Sequence, residues 1–169
     1  MLRQLHDELG IPADYGKALG LPRFDEAGTL VDVGPNLIGR MQRLAPLAAE
    51  GWAEMAAAAE TDGVRLMLVS GFRSWDYQAG LIRRKLEAGQ VIHEILKVNA
   101  APGYSEHHSG RAVDIATPGS RPLTEDFENT EAFDWLGRRA AEFGFTMSYP
   151  RGNALGFVYE PWHWTIRPD

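Results

Sequence analysis

The chain contains no cysteine. That absence excludes disulfides, zinc–thiolate sites and thiol nucleophiles together, and it leaves the redox compartment open. Also missing is any apolar run approaching the ~18–20 residues of a membrane span. Positive charge is scarce: 17 Lys and Arg stand against 23 Asp and Glu, a formal net charge of −6. A protein that binds nucleic acid by neutralising phosphates normally has the opposite sign, so nucleic acid is not an expected partner. Internal repeats and low-complexity segments are absent too, and the one compositional oddity is an Ala-rich stretch from Ala45 to Ala59. The opening residues, Met1-Leu2-Arg3-Gln4-Leu5-His6-Asp7-Glu8, are too polar for a secretory signal. Either the protein is not exported by that route or a signal has been removed.

What is present is the balance of a globular protein: 169 residues, 44% hydrophobic and 24% charged. That length suits one domain over 1–169, able to bury on the order of 70% of its unfolded surface. Residues 1–33 carry scattered Gly and Pro and read as an irregular arm with one short helix or strand. From Pro35, the apolar positions Leu37, Met41, Leu44, Ala48, Trp52, Met55 and Ala59 recur at steps of three and four, the mark of one helix face. Pro46 interrupts it and predicts a kink or the start of a second helix. Val64 to Val69 reads as a buried strand. Ser74 caps a helix with Asp76 in its first turn and Tyr77, Leu81, Ile82 and Leu86 on its inner face. A short helix is expected over Val91 to Val98, and a strand over Ala112 to Ala116. Thr130 caps a further helix, with Phe133, Leu136, Ala140 and Phe143 inward and Gly144 at its stop. Phe145 to Tyr149 and Gly156 to Ile166 read as strands. The expected fold is α+β: a helix-rich N-terminal half on a small, mostly antiparallel sheet.

Three polar clusters lie in or beside these strands: Ser70-Gly71-Phe72-Arg73-Ser74 with Gln78 one helical turn on, the run from Ser105 to Asp114, and Glu160-Pro161-Trp162-His163-Trp164. A catalytic zinc wants three protein ligands and one open position, and without cysteine these must be histidines and carboxylates. His107 and Asp114, seven apart, are too far along one helix face to share an ion and have the wrong parity for one strand face, but Gly110 between them permits a turn that brings both to one point. Asp114 sits in an apolar strand, where a carboxylate is costly unless paired or metal-bound. Each residue also has a plainer reading. His163 between tryptophans suits a core histidine, and Asp114 a cap or salt-bridge partner. Glu160 suits a solvated edge, since Pro161 must mark a bend if it is to share a site with His163. Arg73 suits a surface ion pair. Together they frame the hypothesis of a His/Asp/His metal hydrolase.

The pattern Ser105-x-His107-x-x-Gly110-x-Ala112-x-Asp114, followed by Glu160-Pro161-Trp162-His163-Trp164, resembles the signature of the VanY-like zinc D-alanyl-D-alanine carboxypeptidases. The wider group includes D-Ala-D-Ala dipeptidases, phage L-alanyl-D-glutamate endopeptidases and, by fold, the hedgehog signalling domain. Ser70-Gly71-Phe72-Arg73-Ser74 with Gln78 is similar to a further element of that family. The resemblance implies one zinc held by His107, Asp114 and His163. It implies Glu160 as the carboxylate that takes a proton from the attacking water and passes it to the leaving amine. Arg73 matches the oxyanion-stabilising arginine, and Ser105 and Gln78 match substrate-pocket positions. His108 matches no family role and reads as a solvated histidine or one that supports the site from behind, while His93 and His6 read as surface residues. The implied substrate is a peptidoglycan stem peptide or its precursor in the cell envelope, met by a monomer, with endopeptidase, dipeptidase and non-catalytic binding module as alternatives. Two positions depart from the pattern: Ser148 stands where relatives carry Arg, and Thr165 where they carry a basic residue. The expected consequence is a missing cation for the substrate's terminal carboxylate. Trp162 and Trp164 are expected to face away from His163, and Thr117 to Asn129 to form a lid or a groove wall.

Overall fold

A computed structural model describes residues 1–17 and 19–167. In the N-terminal arm, Leu2–Leu9 form a helix, α1, that ends at Gly10 in the left-handed conformation. The helix expected from Pro35 is not there. Val31–Pro35 (β1) and Met41–Leu44 (β2) pair as an antiparallel hairpin instead. Local turn chemistry overrides the helical spacing: Asn36 Oδ1 accepts from the backbone N–H of Ile38 and Arg40, and Gly34 and Gly39 supply positive φ. Met41 is accordingly 54% exposed while Leu44 is fully buried, as alternate strand positions should be. Pro46 starts a helix, α2 (Pro46–Thr61), at a position where its missing N–H costs nothing.

The remaining elements follow expectation more closely. β3 spans Met67–Ser70 and α3 spans Trp75–Glu87, with the Ser74 hydroxyl accepting from Tyr77 N–H. Tyr77 nonetheless lies 42% exposed, and Gln78 with Ala79 takes the inner face beside Ile82. The short α4 covers Ile92–Ile95, and β4 covers Ala112–Ala116 with every residue buried. α5 spans Glu131–Arg139, capped by Thr130 Oγ1. β5 (Phe145–Met147) and β6 (His163–Ile166) are shorter than their apolar patterns suggested. Residues 156–162 leave the ladder because Glu160 N–H turns back to Tyr149 O and His163 N–H to Glu160 O.

The main sheet runs β3-β4-β6-β5, antiparallel throughout. Its alternation decides where everything else goes. Val113, Ile115, Trp164 and Ile166 face one way and join Met55, Leu44, Leu136 and Phe145 in the larger core, under α2 and α5. A second cluster of Leu9, Ile11, Ala79, Ile82, Ile95 and Leu96 ties α1, α3 and α4 together. Asp114 and His163, paired across β4 and β6, lie between these two apolar bodies. Among the described residues no helix is long and apolar enough to cross a membrane.

Candidate metal centre

His107 stands on a 3-10 turn, Glu106–Ser109, that ends at Gly110. Gly110 has φ 67, and a Cβ there would lie 2.8 Å from Ala45 N. Only glycine serves on both counts, and the reversal it allows carries the chain from His107 into β4 and on to Asp114. His107 Nδ1 is 2.7 Å from Gly71 O, so Nδ1–H donates there and Nε2 carries the lone pair. That Nε2 is buried, has no hydrogen-bond partner, and lies 3.3 Å from Asp114 Oδ2. On the other side, His163 Nε2 donates to Glu106 Oε2 at 2.9 Å, which turns Nδ1 toward Asp114 Oδ1, 3.0 Å away. With a metal in place of the proton on His163 Nδ1, two imidazole lone pairs and a carboxylate would converge on one point. Their ligand atoms lie within 4.8 Å of one another, and all three residues are buried. The arrangement calls for a cation, and a two-nitrogen, one-carboxylate set suits zinc with a position left open. These are the three residues the motif had implied.

The electrostatics of the metal-free chain set the two histidines apart. Burial pushes His107 down to about 4, aided by the Arg73 guanidinium, so its imidazole is neutral and free to ligate. Burial would raise Asp114, but His107, His163 and Arg73 outweigh it and hold its carboxyl well below the usual range. Burial likewise opposes charge on His163, yet the Asp114 and Glu106 carboxylates push it up to about 10, so without a metal the ring is protonated and a cation would take the place of its Nδ1 proton. Glu160 behaves differently. Burial, with Asp114 and Glu106 nearby, pushes it up to about 7 although His163 and Arg73 oppose the change. A carboxylate tuned near neutrality can take up and release a proton at the working pH.

Glu160 Oε2 is 3.9 Å from His163 Nδ1. The turn through Pro161 brings it round to the face of the ligands, the bend its spacing required. Arg73 follows β3, with its N–H on His107 O, and one guanidinium nitrogen is 3.8 Å from Asp114 Oδ2. Its buried Nε has no partner. All these groups line one cavity of about 230 Å³, together with Ser105, Gln78, Lys85, Asn99, Leu123, Tyr149 and Trp162. Gln78 donates to Ala100 O from a fully buried position and leaves Oε1 unpaired. Leu123, held at φ 57, is the residue of the 117–129 segment that reaches the cavity lining.

Some expectations fail. Trp162, in the turn before β6, both lines the cavity and packs in the larger core, whereas Trp164 packs in that core away from the cavity and donates to Pro161 O. Of the two readings for His108 the supporting one holds: it is fully buried, and its Nδ1 is 2.6 Å from Arg73 O, so it fixes the arginine's backbone. His6 is bonded to Pro102 O and stacks on Tyr104, so of these only His93 is a surface histidine. Sequence reasoning missed Glu106. Its carboxylate holds His163 Nε2 and accepts the Ser148 hydroxyl at 2.5 Å. Adjacency to His107 was the available signal, but its partners are distant in sequence.

A buried His/Asp/His group with a carboxylate of raised pKa beside it has the make-up of a hydrolytic metal centre. The family model for VanY, D-alanyl-D-alanine carboxypeptidase, matches residues 41–169, and the chain belongs to that family. It is 33% identical over 96% of its length to YodJ of Bacillus subtilis (strain 168), which is named a carboxypeptidase; it spans 62% of that relative. Among solved structures it resembles the LD-carboxypeptidase LdcB, with a TM-score of 0.74 and 30% identity over 83% of this chain and 69% of that one. It also resembles the vancomycin resistance D,D-pentapeptidase VanY in complex with Zn(II), with a TM-score of 0.65 and 25% identity over 86% of this chain and 85% of that one.

Proposed function

We propose that the chain is a zinc-dependent D,D-carboxypeptidase that releases the terminal D-Ala from peptidoglycan stem peptides, acting as a monomer in the cell envelope. The observation that carries this reading is Glu160, buried, tuned to about 7 and set 3.9 Å from His163 in a small cavity. His107 Nε2, an Asp114 oxygen and His163 Nδ1 would hold the metal. Zinc, when bound, supplies Lewis acidity that polarises a carbonyl and makes water a competent nucleophile near neutral pH. Glu160 accepts the proton of the attacking water and returns it to the departing amine. Arg73 offers its guanidinium to the developing oxyanion, a contribution of roughly 3–4 kcal/mol when such a donor is lost. Ser105 and Gln78 bind the peptide, the unpaired Gln78 Oε1 being an acceptor for a peptide N–H. Trp162 and Tyr149 limit water.

The match to a carboxypeptidase family model favours an exopeptidase over an endopeptidase. The likeness to LdcB supports a second reading, an L,D-carboxypeptidase that removes D-Ala from a tetrapeptide. Mass spectrometry of stem penta- and tetrapeptides incubated with the zinc-loaded protein separates them. Loss of one D-Ala from the pentapeptide is expected; loss only from the tetrapeptide would install the second reading, and cleavage at L-Ala–D-Glu would overturn both.

A further inference from the structure

Neither position where the sequence lacks an expected cation can recruit one. Ser148 is buried and spends its hydroxyl on Glu106, and Thr165 is buried with its hydroxyl toward Arg111 O. The cavity nevertheless holds a lysine that no motif pointed to. Gln78 and Lys85 are seven residues apart on α3, hence about two turns along the same face, and both line the cavity with Ser105 and Glu160. Arg73, the other Lys or Arg of the lining, lies against Asp114 beside the metal ligands.

Lys85 is placed as a receptor rather than as a surface charge. Its Nζ donates to Asn99 Oδ1, and no carboxylate among the described residues lies within ion-pair distance of it. The neighbouring cations differ: Arg83 pairs with Glu8 and Lys97 with Glu94. One ammonium N–H is spent on Asn99, which leaves the other two. Because Asn99 accepts through Oδ1, its Nδ2 donors face elsewhere and stay unspent among the described residues. A partly buried ammonium and a primary amide, side by side in a cavity that also holds the buried Ser105 hydroxyl, form a donor set matched to a carboxylate. Burial works against the charge on Lys85, and Glu160 works for it. An incoming anion would relieve that cost.

We propose that Lys85, oriented by Asn99, receives the free C-terminal carboxylate of the substrate and so makes the site an exopeptidase. This rests on the carboxypeptidase reading above, and it supplies the cation missing at Ser148 and Thr165 from a different element. Lys85 touches substrate but no reacting atom. It is therefore a specificity residue, and its removal acts on binding rather than on chemistry.

The test uses zinc-loaded protein carrying Glu160→Gln, so that peptide is bound without being cut. An N-acyl-D-Ala-D-Ala peptide is titrated as free acid and as C-terminal amide, with tryptophan fluorescence or calorimetry as readout. The free acid should bind roughly 10- to 100-fold more tightly, the range of a charged hydrogen bond. Adding Lys85→Met should bring acid and amide to within about threefold, Lys85→Arg should regain part of the preference, and Asn99→Ala should reduce it, all with zinc content unchanged. An acid preference that survives Lys85→Met, or that is absent with Lys85 in place, overturns the proposal. Turnover is measured separately on protein with Glu160 intact. No release of D-Ala there, together with a Lys85-dependent acid preference, would sink the carboxypeptidase reading and leave the carboxylate receptor standing.

Discussion

Glu160 is the residue whose environment conflicts most with its charge, and two different measurements should register it. As proton carrier, Glu160→Gln should retain zinc and lose at least ~10²-fold in turnover, since general acid–base catalysis typically contributes 10²–10⁴-fold. A loss under tenfold would hand the proton transfer to another group. The same raised pKa affects folding of the metal-free protein. Below about 4.5 the carboxyl is protonated in both states; as pH rises toward about 7 the unfolded chain ionises first, and folded stability is lost across that window. Glu160→Gln removes the penalty, worth up to about 3 kcal/mol. In chelator-treated protein its melting temperature should exceed the wild-type value at pH 8 and converge with it below pH 4.5. Glu106 acts one step back. It fixes the His163 tautomer through Nε2, and supporting carboxylates of this kind are worth about 10–100-fold in metal affinity. Chelator competition should show such a loss for Glu106→Ala and a smaller one for Ser148→Ala; unchanged affinity in both would mean His163 is oriented without them.

At the scale of elements, the centre depends on the joint between β3 and α3. Gly71 O receives His107 Nδ1–H, Gly71 N–H bonds Gln42 Oε1, and a Cβ at Gly71 would lie 2.7 Å from Arg43 O. Gly71→Ala should therefore push the joint off the β1–β2 hairpin, at a cost of about 1–3 kcal/mol, and loosen His107 with it. Thermal melts and zinc competition should fall together; a variant with wild-type values in both would show that the joint has slack. The Ser70–Ser74 cluster was conspicuous in the sequence because its glycine, arginine and helix cap are local signals. α3, α5, β4 and both caps were legible for the same reason: Ser74, Thr130 and the alternation through Asp114 act over a few residues. The hairpin was not, because Leu37, Met41 and Leu44 fit a helical spacing and only the Asn36 turn with its flanking glycines opposes it. Residues 156–162 were overread as strand, since their apolar character serves the cavity lining at Phe157 and Trp162 rather than a ladder. His107, Asp114, His163 and Glu160 could be named from motifs. Glu106, His108 and Lys85 could not, because their partners are set by tertiary packing.

In the whole molecule the centre is where two cores meet. The sheet face bearing Val113, Ile115 and Trp164 belongs to the larger core with α2 and α5, while α1, α3 and α4 enclose their own cluster around Ile82 and Ile95. The polar layer between them includes His107, Asp114, His163, Glu106 and Glu160, all buried. Such a layer contributes little apolar stabilisation, and its lone pairs and carboxylates repel one another unless a cation or protons intervene. A metal bound by His107 from the 3-10 turn, Asp114 from β4 and His163 from β6 would join three separate segments of that layer. A ligand that binds only the folded state adds about 2.7 kcal/mol at a hundredfold excess over its dissociation constant. For a chain of this length that corresponds to a rise in melting temperature of about 5–10 °C. Zinc added to chelator-treated wild-type protein should produce a shift of that size, and His163→Ala should abolish it while Glu160→Gln keeps it. A zinc-dependent shift that persists in His163→Ala would place the metal on other residues, and no shift in the wild type would mean that the polar layer closes without one.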